Sequence, residues 1–238
     1  MNLEEIAMAL LRDLQAEVAE ALNSLGGKLS RGLHDNYIFY SASHVNRAVD
    51  GFIFLRDGHR IDAAKLAIRP CIEAMLRIEA VRKKPELLYR IAYSERLEVQ
   101  KWVRPAATRQ GKKYDFDSDD KQWREFKRMY EEQFPGHKLL DKELRLIDAA
   151  SGGGLKAYYD SYYRMYCKYD HAALVASGGY LDDLADPYDS RTMVCCAFSA
   201  LDALVSIGAM TKNVEVLRHR TDTLSKQPTE RLIRQRER

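Results

Sequence analysis

The chain has 238 residues, 46% of them hydrophobic and 31% charged, a globular composition that excludes a disordered chain and is long enough to bury its own core. With only 13 glycines and 6 prolines it favours long helices with few breaks over a sheet of short strands. The formal charge of +3 is too small to name a nucleic acid or a membrane as partner by itself.

The first helix is predicted to start at the capping box Asn2-x-x-Glu5, with Leu3, Ile6, Leu10, Leu14, Val18 and Leu22 at helical spacing and Gly26-Gly27 as the stop. Glu4 and Glu5 stand where a signal peptide has a basic segment, so no secretory leader is expected here. A second helix is expected over about Asn36 to Arg56, with Tyr37, Ser41, His44, Ala48, Phe52 and Leu55 on one side. That side makes His44 a core histidine. A third spans about Ile61 to Val81 and contains Pro70, which predicts a kink. A fourth follows Pro85 and runs to Val103, closed by Pro105.

Residues 106–118 read as the long loop. Asp115, Asp117, Asp119 and Asp120 alternate there without the glycine and later glutamate of a calcium loop. Helices over Asp119 to Gln133 and Leu139 to Ala150 follow, and Ser151-Gly152-Gly153-Gly154 reads as a flexible joint. That glycine run lacks the Lys-Ser/Thr of a phosphate-binding loop. Asp186-Pro187-Tyr188-Asp189 carries the signals of a helix start, and an apolar helix to Met210 follows. Its stretch from Thr192 is near the length of a membrane span. Asp202 close to the middle would cost about 2.5–3.5 kcal/mol in lipid, so a central core helix is expected and no membrane association. The architecture is an all-α multi-helix bundle over residues 1–213. A basic, flexible tail over 214–238 carries Arg218, Arg220, Arg231, Arg234, Arg236 and Arg238.

Cys71, Cys167, Cys195 and Cys196 form no C-x-x-C pair and sit in apolar helical context, the pattern of free thiols in a reducing cytoplasm. No H-E-x-x-H and no Cys/His ligand cluster is present, so neither metal nor cofactor is expected.

The segment from Tyr158 to His171 holds six tyrosines and reads as one helix. Arg164, Lys168 and His171 are spaced four then three and share a face. Histidine suits proton abstraction from a ribose hydroxyl near neutral pH, and arginine and lysine suit the charge of a phosphodiester transition state. From Arg164 to His171 is ~10.5 Å along the axis, too far for one copy to grip one phosphate, whereas two copies facing each other can. Arg69 and Glu73, four apart, read as an ion pair that either orients Arg69 toward a phosphate or organises the bundle. The tyrosine stripe is expected to be mostly core, with Tyr163 beside Arg164 free to position a base or sugar.

Arg164-x6-His171 resembles the R-x4–6-H signature of the HEPN superfamily of all-helical ribonucleases and nucleotide-binding proteins. Met165 stands where that superfamily often has a polar residue. The resemblance implies a homodimer with Arg164 and His171 in a composite catalytic site, Lys168 and Tyr163 on the substrate, no metal, and RNA as substrate. It also implies a toxin or phage-defence role with an antitoxin or another protein as partner. Arg69-Pro70-x-x-Glu73, together with a tyrosine-rich helix ending at His171, is also similar to an uncharacterised bacterial family of helical proteins. That likeness implies no activity and marks Arg69, Glu73, Arg164 and His171 as positions of interest. Two other expectations stand beside the ribonuclease: a non-catalytic helical interaction or regulatory subunit, and a small-molecule-binding bundle with Arg69 and Glu73 around a pocket.

Overall fold

The computed structural model describes residues 2–26, 32–111, 115–170 and 182–227, and the side chains of these except 116, 168–170 and 182–187. All regular structure among them is helical, in keeping with the all-α bundle. Helix α1 (Leu3–Leu25) opens with the expected capping box: Asn2 Oδ1 accepts from the Glu5 amide and Glu5 Oε2 from the Asn2 amide, both at 2.8 Å. Leu10, Leu14 and Val18 are buried on its inner face.

Helix α2 (Leu33–Asp57) turns a different face inward from the one its sequence suggests. Ile38, Ala42, Val45, Val49 and Phe52 are fully buried, whereas His44 is exposed. Two partly apolar stripes compete on this helix. The one rich in β-branched residues takes the interior, and the imidazole keeps its contact with water.

The expected third helix is two elements, α3 (Ile61–Lys65) and α4 (Ile68–Lys83). Pro70 is the third residue of α4, where the amide has no intrahelical acceptor to lose, so it starts the helix instead of kinking it. Pro105 also departs from expectation: α5 (Leu87–Arg109) continues through it. Lys101, whose carbonyl loses its donor there, is exposed, as is Pro105. Helix α6 (Phe116–Gln133) is capped by Asp115, whose carboxylate accepts from the Ser118 amide at 2.9 Å. Tyr89 of α5 meets Trp123 and Tyr130 of α6 with ring centroids 5.2 and 5.3 Å apart, forming a satellite core.

Residues 137–145 are not helical, and α7 (Leu146–Gly152) begins later than expected. The glycine run after it is a close approach to α4. A Cβ on Gly153 would lie 3.0 Å from the Ala80 nitrogen, Lys83 Nζ donates to the Gly153 carbonyl at 2.7 Å, and Gly154 has φ +72°. Then come α8 (Lys156–Tyr158), a π-helical turn (Tyr159–Tyr163) and α9 (Arg164–Asp170).

Helix α10 (Asp182–Ser206) starts four residues before the expected Asp186 and occupies the centre, packed against α1, α2, α4 and α11 (Val214–Lys226). No helix of the described residues is long and apolar enough to cross a membrane. Asp202, the charge inside the apolar run, receives Arg82 Nη2 at 2.7 Å and Arg218 Nη2 at 2.6 Å. Helix α11 begins where a tail was expected. Leu217 and Leu224 join the main core, and Glu17 of α1 anchors the residues just before its start by accepting from the Lys212 amide (2.8 Å) and the Asn213 amide (3.2 Å). The hydrophobic period of Val214, Leu217, Thr221 and Leu224 outweighs the arginines between them. The rest of that basic stretch, 228–238, lies outside the described residues.

Candidate functional site

The tyrosine-rich segment is not one continuous α-helix. In its π turn the Arg164 amide bonds the Tyr159 carbonyl, five residues back, which rotates the tyrosines before Arg164 relative to the helix after it. The rings divide accordingly. Tyr159 and Tyr163 stack on each other at 4.9 Å and 20° and face α4. Tyr158 and Tyr162, 4.6 Å apart, turn the other way, Tyr162 lying 6.0 Å from Tyr188 of α10. Tyr166 is buried, and its hydroxyl donates to the buried Asp189 carboxylate at 2.6 Å. The expectation that most of these rings pack in the core holds for these five: Tyr166 is inside it and the other four lie against it.

Three of the six candidate residues come together. Glu73 Oε1 accepts from Arg69 Nε and from the Tyr163 hydroxyl, each at 3.0 Å. The Arg69 guanidinium lies 5.7 Å from the centre of the Tyr163 ring. Burial, a hydrogen bond with Cys167 and the neighbouring Glu73 charge push the Tyr163 phenol above its ordinary value, so it stays a neutral donor. The arrangement is a brace: α4 supplies a carboxylate held by its own arginine, and the carboxylate holds the turn that ends at Arg164. Arg164 itself is exposed at the start of α9. Lys168 lies one turn later in α9, its side chain outside the described ones, and His171 lies outside the described residues.

Arg69 and Glu73 are not among the residues that line the cavity beside the tyrosines. The cavity near the tyrosines, about 250 Å³, is lined on the opposite side of the segment by Tyr158, Tyr162, Tyr188, Arg191, Cys195 and Thr221, among others. Its walls are mostly apolar, and Arg191 donates to the Ser225 carbonyl at 3.0 Å. Burial raises the Cys195 thiol, so it is a poor nucleophile. Cys71 is buried and pushed up to about 12. Among the described residues no group of three or more His, Cys, Asp or Glu side chains converges as metal ligands do.

Two polar centres escaped the sequence reading. In the sequence Asp189 reads as a first-turn acid of the helix start at Asp186, and its partner Tyr166 is 23 residues away. The Asp202 cluster had a signal, an aspartate inside a predicted core helix. It extends through Arg82 to Glu79, which accepts from the Ser199 hydroxyl at 2.6 Å. Burial raises the Asp202 carboxyl, but the hydrogen bonds and charges of Arg218 and Arg82 outweigh this and hold it below the usual carboxylate value.

The model of a family of unknown function, DUF5677, matches residues 35–188, well over half of the chain, and these include Arg69, Glu73, Tyr163, Arg164, Lys168 and His171. No curated protein and no solved structure matches the chain.

Proposed function

We propose that this chain, which belongs to the DUF5677 family of unknown function, is a HEPN-like, metal-independent endoribonuclease of the toxin or phage-defence type, working as a homodimer in the cytoplasm. The observation that carries this reading is the brace from Glu73 to Tyr163, which fixes the turn from which exposed Arg164 projects. A cation held on a rigid mount loses little freedom when it binds a phosphate, as electrostatic catalysis requires.

In this reading His171 takes the proton from a ribose 2′-hydroxyl, and the oxygen attacks the adjacent phosphorus. Arg164 and Lys168 stabilise the added negative charge, and the 5′-oxygen leaves with a proton, giving a 2′,3′-cyclic phosphate. A second copy supplies the opposing Arg164 or His171, since one copy separates them by ~10.5 Å. The Tyr163 hydroxyl is committed to Glu73 and its ring stacks on Tyr159 beside Arg69, so only the part of the ring that stays accessible is left to contact a base or sugar. An antitoxin or similar protein partner keeps the activity in check.

Induced expression in growing cells tests this directly. The wild-type chain arrests growth and His171→Ala does not. Equal growth of the two at equal protein level removes the nuclease reading.

One observation favours the non-catalytic alternative. Val99, Trp102 and Val103 of α5 are 54%, 77% and 41% exposed and share a helical stripe with Ala106, beside the acidic start of α6 at Asp115 and Asp117. This groove suits an amphipathic helix with an apolar face and basic edge. In that case Trp102→Glu abolishes the chain's effect in cells while Arg164→Ala leaves it intact.

A further inference from the structure

The π turn has a second consequence, on the side of the tyrosine segment away from Glu73. It turns Tyr158 and Tyr162 toward α10, and there they wall a cavity of about 250 Å³ between the segment, α10 and α11. Turns of this kind interrupt helices frequently at functional sites. Three rings run along the cavity: Tyr158 and Tyr162, 4.6 Å apart, and Tyr188, 6.0 Å from Tyr162. Leu224 of α11 adds an aliphatic wall. An apolar cavity of about 150 Å³ takes benzene. The space here therefore takes one aromatic ring with a short chain. It is too small for a nucleotide, which needs a pocket of about 300–1,000 Å³.

The polar groups name the other end of the ligand. Among the described residues that line the cavity, Arg191 is the one charged side chain and none is a carboxylate. Burial raises the Tyr162 phenol and the Cys195 thiol, and the Arg191 charge opposes it at both, so a positive field reaches two walls of the cavity. Arg191 donates to the Ser225 carbonyl at 3.0 Å, which helps to orient the guanidinium. Its planar fork of five N–H donors can serve that carbonyl and a carboxylate together.

Two hydroxyls of the lining residues are left unsatisfied by the protein. Those of Tyr158 and Thr221 are sealed from water, and no partner meets either with hydrogen-bond geometry; Thr192 lies near the Tyr158 hydroxyl without completing a bond. Thr221 is only 7% exposed. A buried hydroxyl without a partner is unfavourable, and the packing of the helices does not account for it. A ligand in the cavity supplies an acceptor once the Thr221 side chain turns to it, a rotation about one torsion.

We propose that this cavity binds a small aromatic carboxylic acid, with its ring among Tyr158, Tyr162 and Tyr188 and its carboxylate on Arg191. The proposal uses none of Arg164, Lys168 and His171 and is measured without RNA, so it stands or fails separately from the nuclease reading.

Isothermal titration calorimetry of the full chain tests it, with phenylpropionate as the probe and phenylpropanol as its uncharged counterpart. Phenylpropionate binds at one molecule per chain with a Kd below ~1 mM, and the alcohol binds about tenfold or more weakly. Arg191→Met weakens the acid about tenfold or more and removes the difference between the two probes. Cys195→Phe places a ring in the cavity and abolishes binding of both while the circular dichroism stays unchanged. A wild type that takes up no phenylpropionate at ~10 mM, or that binds acid and alcohol alike, overturns the proposal. So does an Arg191→Met chain that binds the acid as tightly as wild type, or a folded Cys195→Phe chain that still binds it. Where either variant unfolds, the comparison of acid and alcohol on the wild type decides alone.

Discussion

The Tyr163 hydroxyl donates to Glu73 at 3.0 Å across 90 residues of sequence, and this bond ties helix α4 to the turn before Arg164. Because Glu73 also holds Arg69, the carboxylate serves two partners from two elements. A double-mutant cycle measures the link. Tyr163→Phe and Glu73→Ala each lower stability by about 0.5–2 kcal/mol, and together they cost less than their sum by about 0.5–1 kcal/mol. Urea unfolding of the four proteins checks this; strictly additive losses would show that the bond contributes nothing.

The Asp202 cluster makes part of the stability depend on acid. Its carboxyl is held below the ordinary value of 3.8 in the folded chain, so the folded state binds fewer protons than the unfolded state as the pH approaches that value. The contribution is fully present above the unfolded value and is lost as the pH falls through the folded one. Asp202→Asn is therefore less stable than wild type at pH 7, by about 1–3 kcal/mol, because Arg82 and Arg218 lose their shared counter-charge. The gap narrows below about pH 4. Thermal melts from pH 3 to 8 check it, and a gap that stays constant across that range contradicts the ion cluster.

Helix α11 belongs to the core. Leu224 is 3% exposed, so Leu224→Ala costs about 2–4 kcal/mol, whereas Val216→Ala on the outer side of the same helix changes stability by less than about 0.5 kcal/mol. Denaturant midpoints of the two variants distinguish a packed helix from a basic tail, in which both substitutions would be neutral.

Local signals carried much of the fold. The Asn2–Glu5 capping box, the Leu10–Leu14–Val18 stripe and the Asp57-Gly58 stop are written within a turn or two of where they act. Proline was the recurrent source of error, because its effect depends on position and surroundings. Pro70 lands in a first turn and Pro105 on a water-exposed face, and neither context is visible in the residues beside it. On α2, two stripes one position apart have similar apolar character, and only the neighbours α1, α4 and α10 decide between them.

At the candidate site, the Arg69–Glu73 spacing was legible because it is a single helical turn. The Tyr163–Glu73 bond was not, being purely tertiary. The π turn was also hidden: its extra residue per turn leaves no trace in the side-chain pattern, yet it decides which tyrosines face α4 and which face α10.

RNA cleavage in the presence of excess chelator is the most direct test of the proposed function. The purified full-length chain is predicted to cut RNA under these conditions and to leave 2′,3′-cyclic phosphate ends. Arg164→Ala and His171→Ala are predicted to slow cutting by about a hundredfold or more while the circular dichroism stays unchanged. A wild-type chain that leaves RNA intact, or a His171→Ala chain that cuts at the wild-type rate, would contradict it.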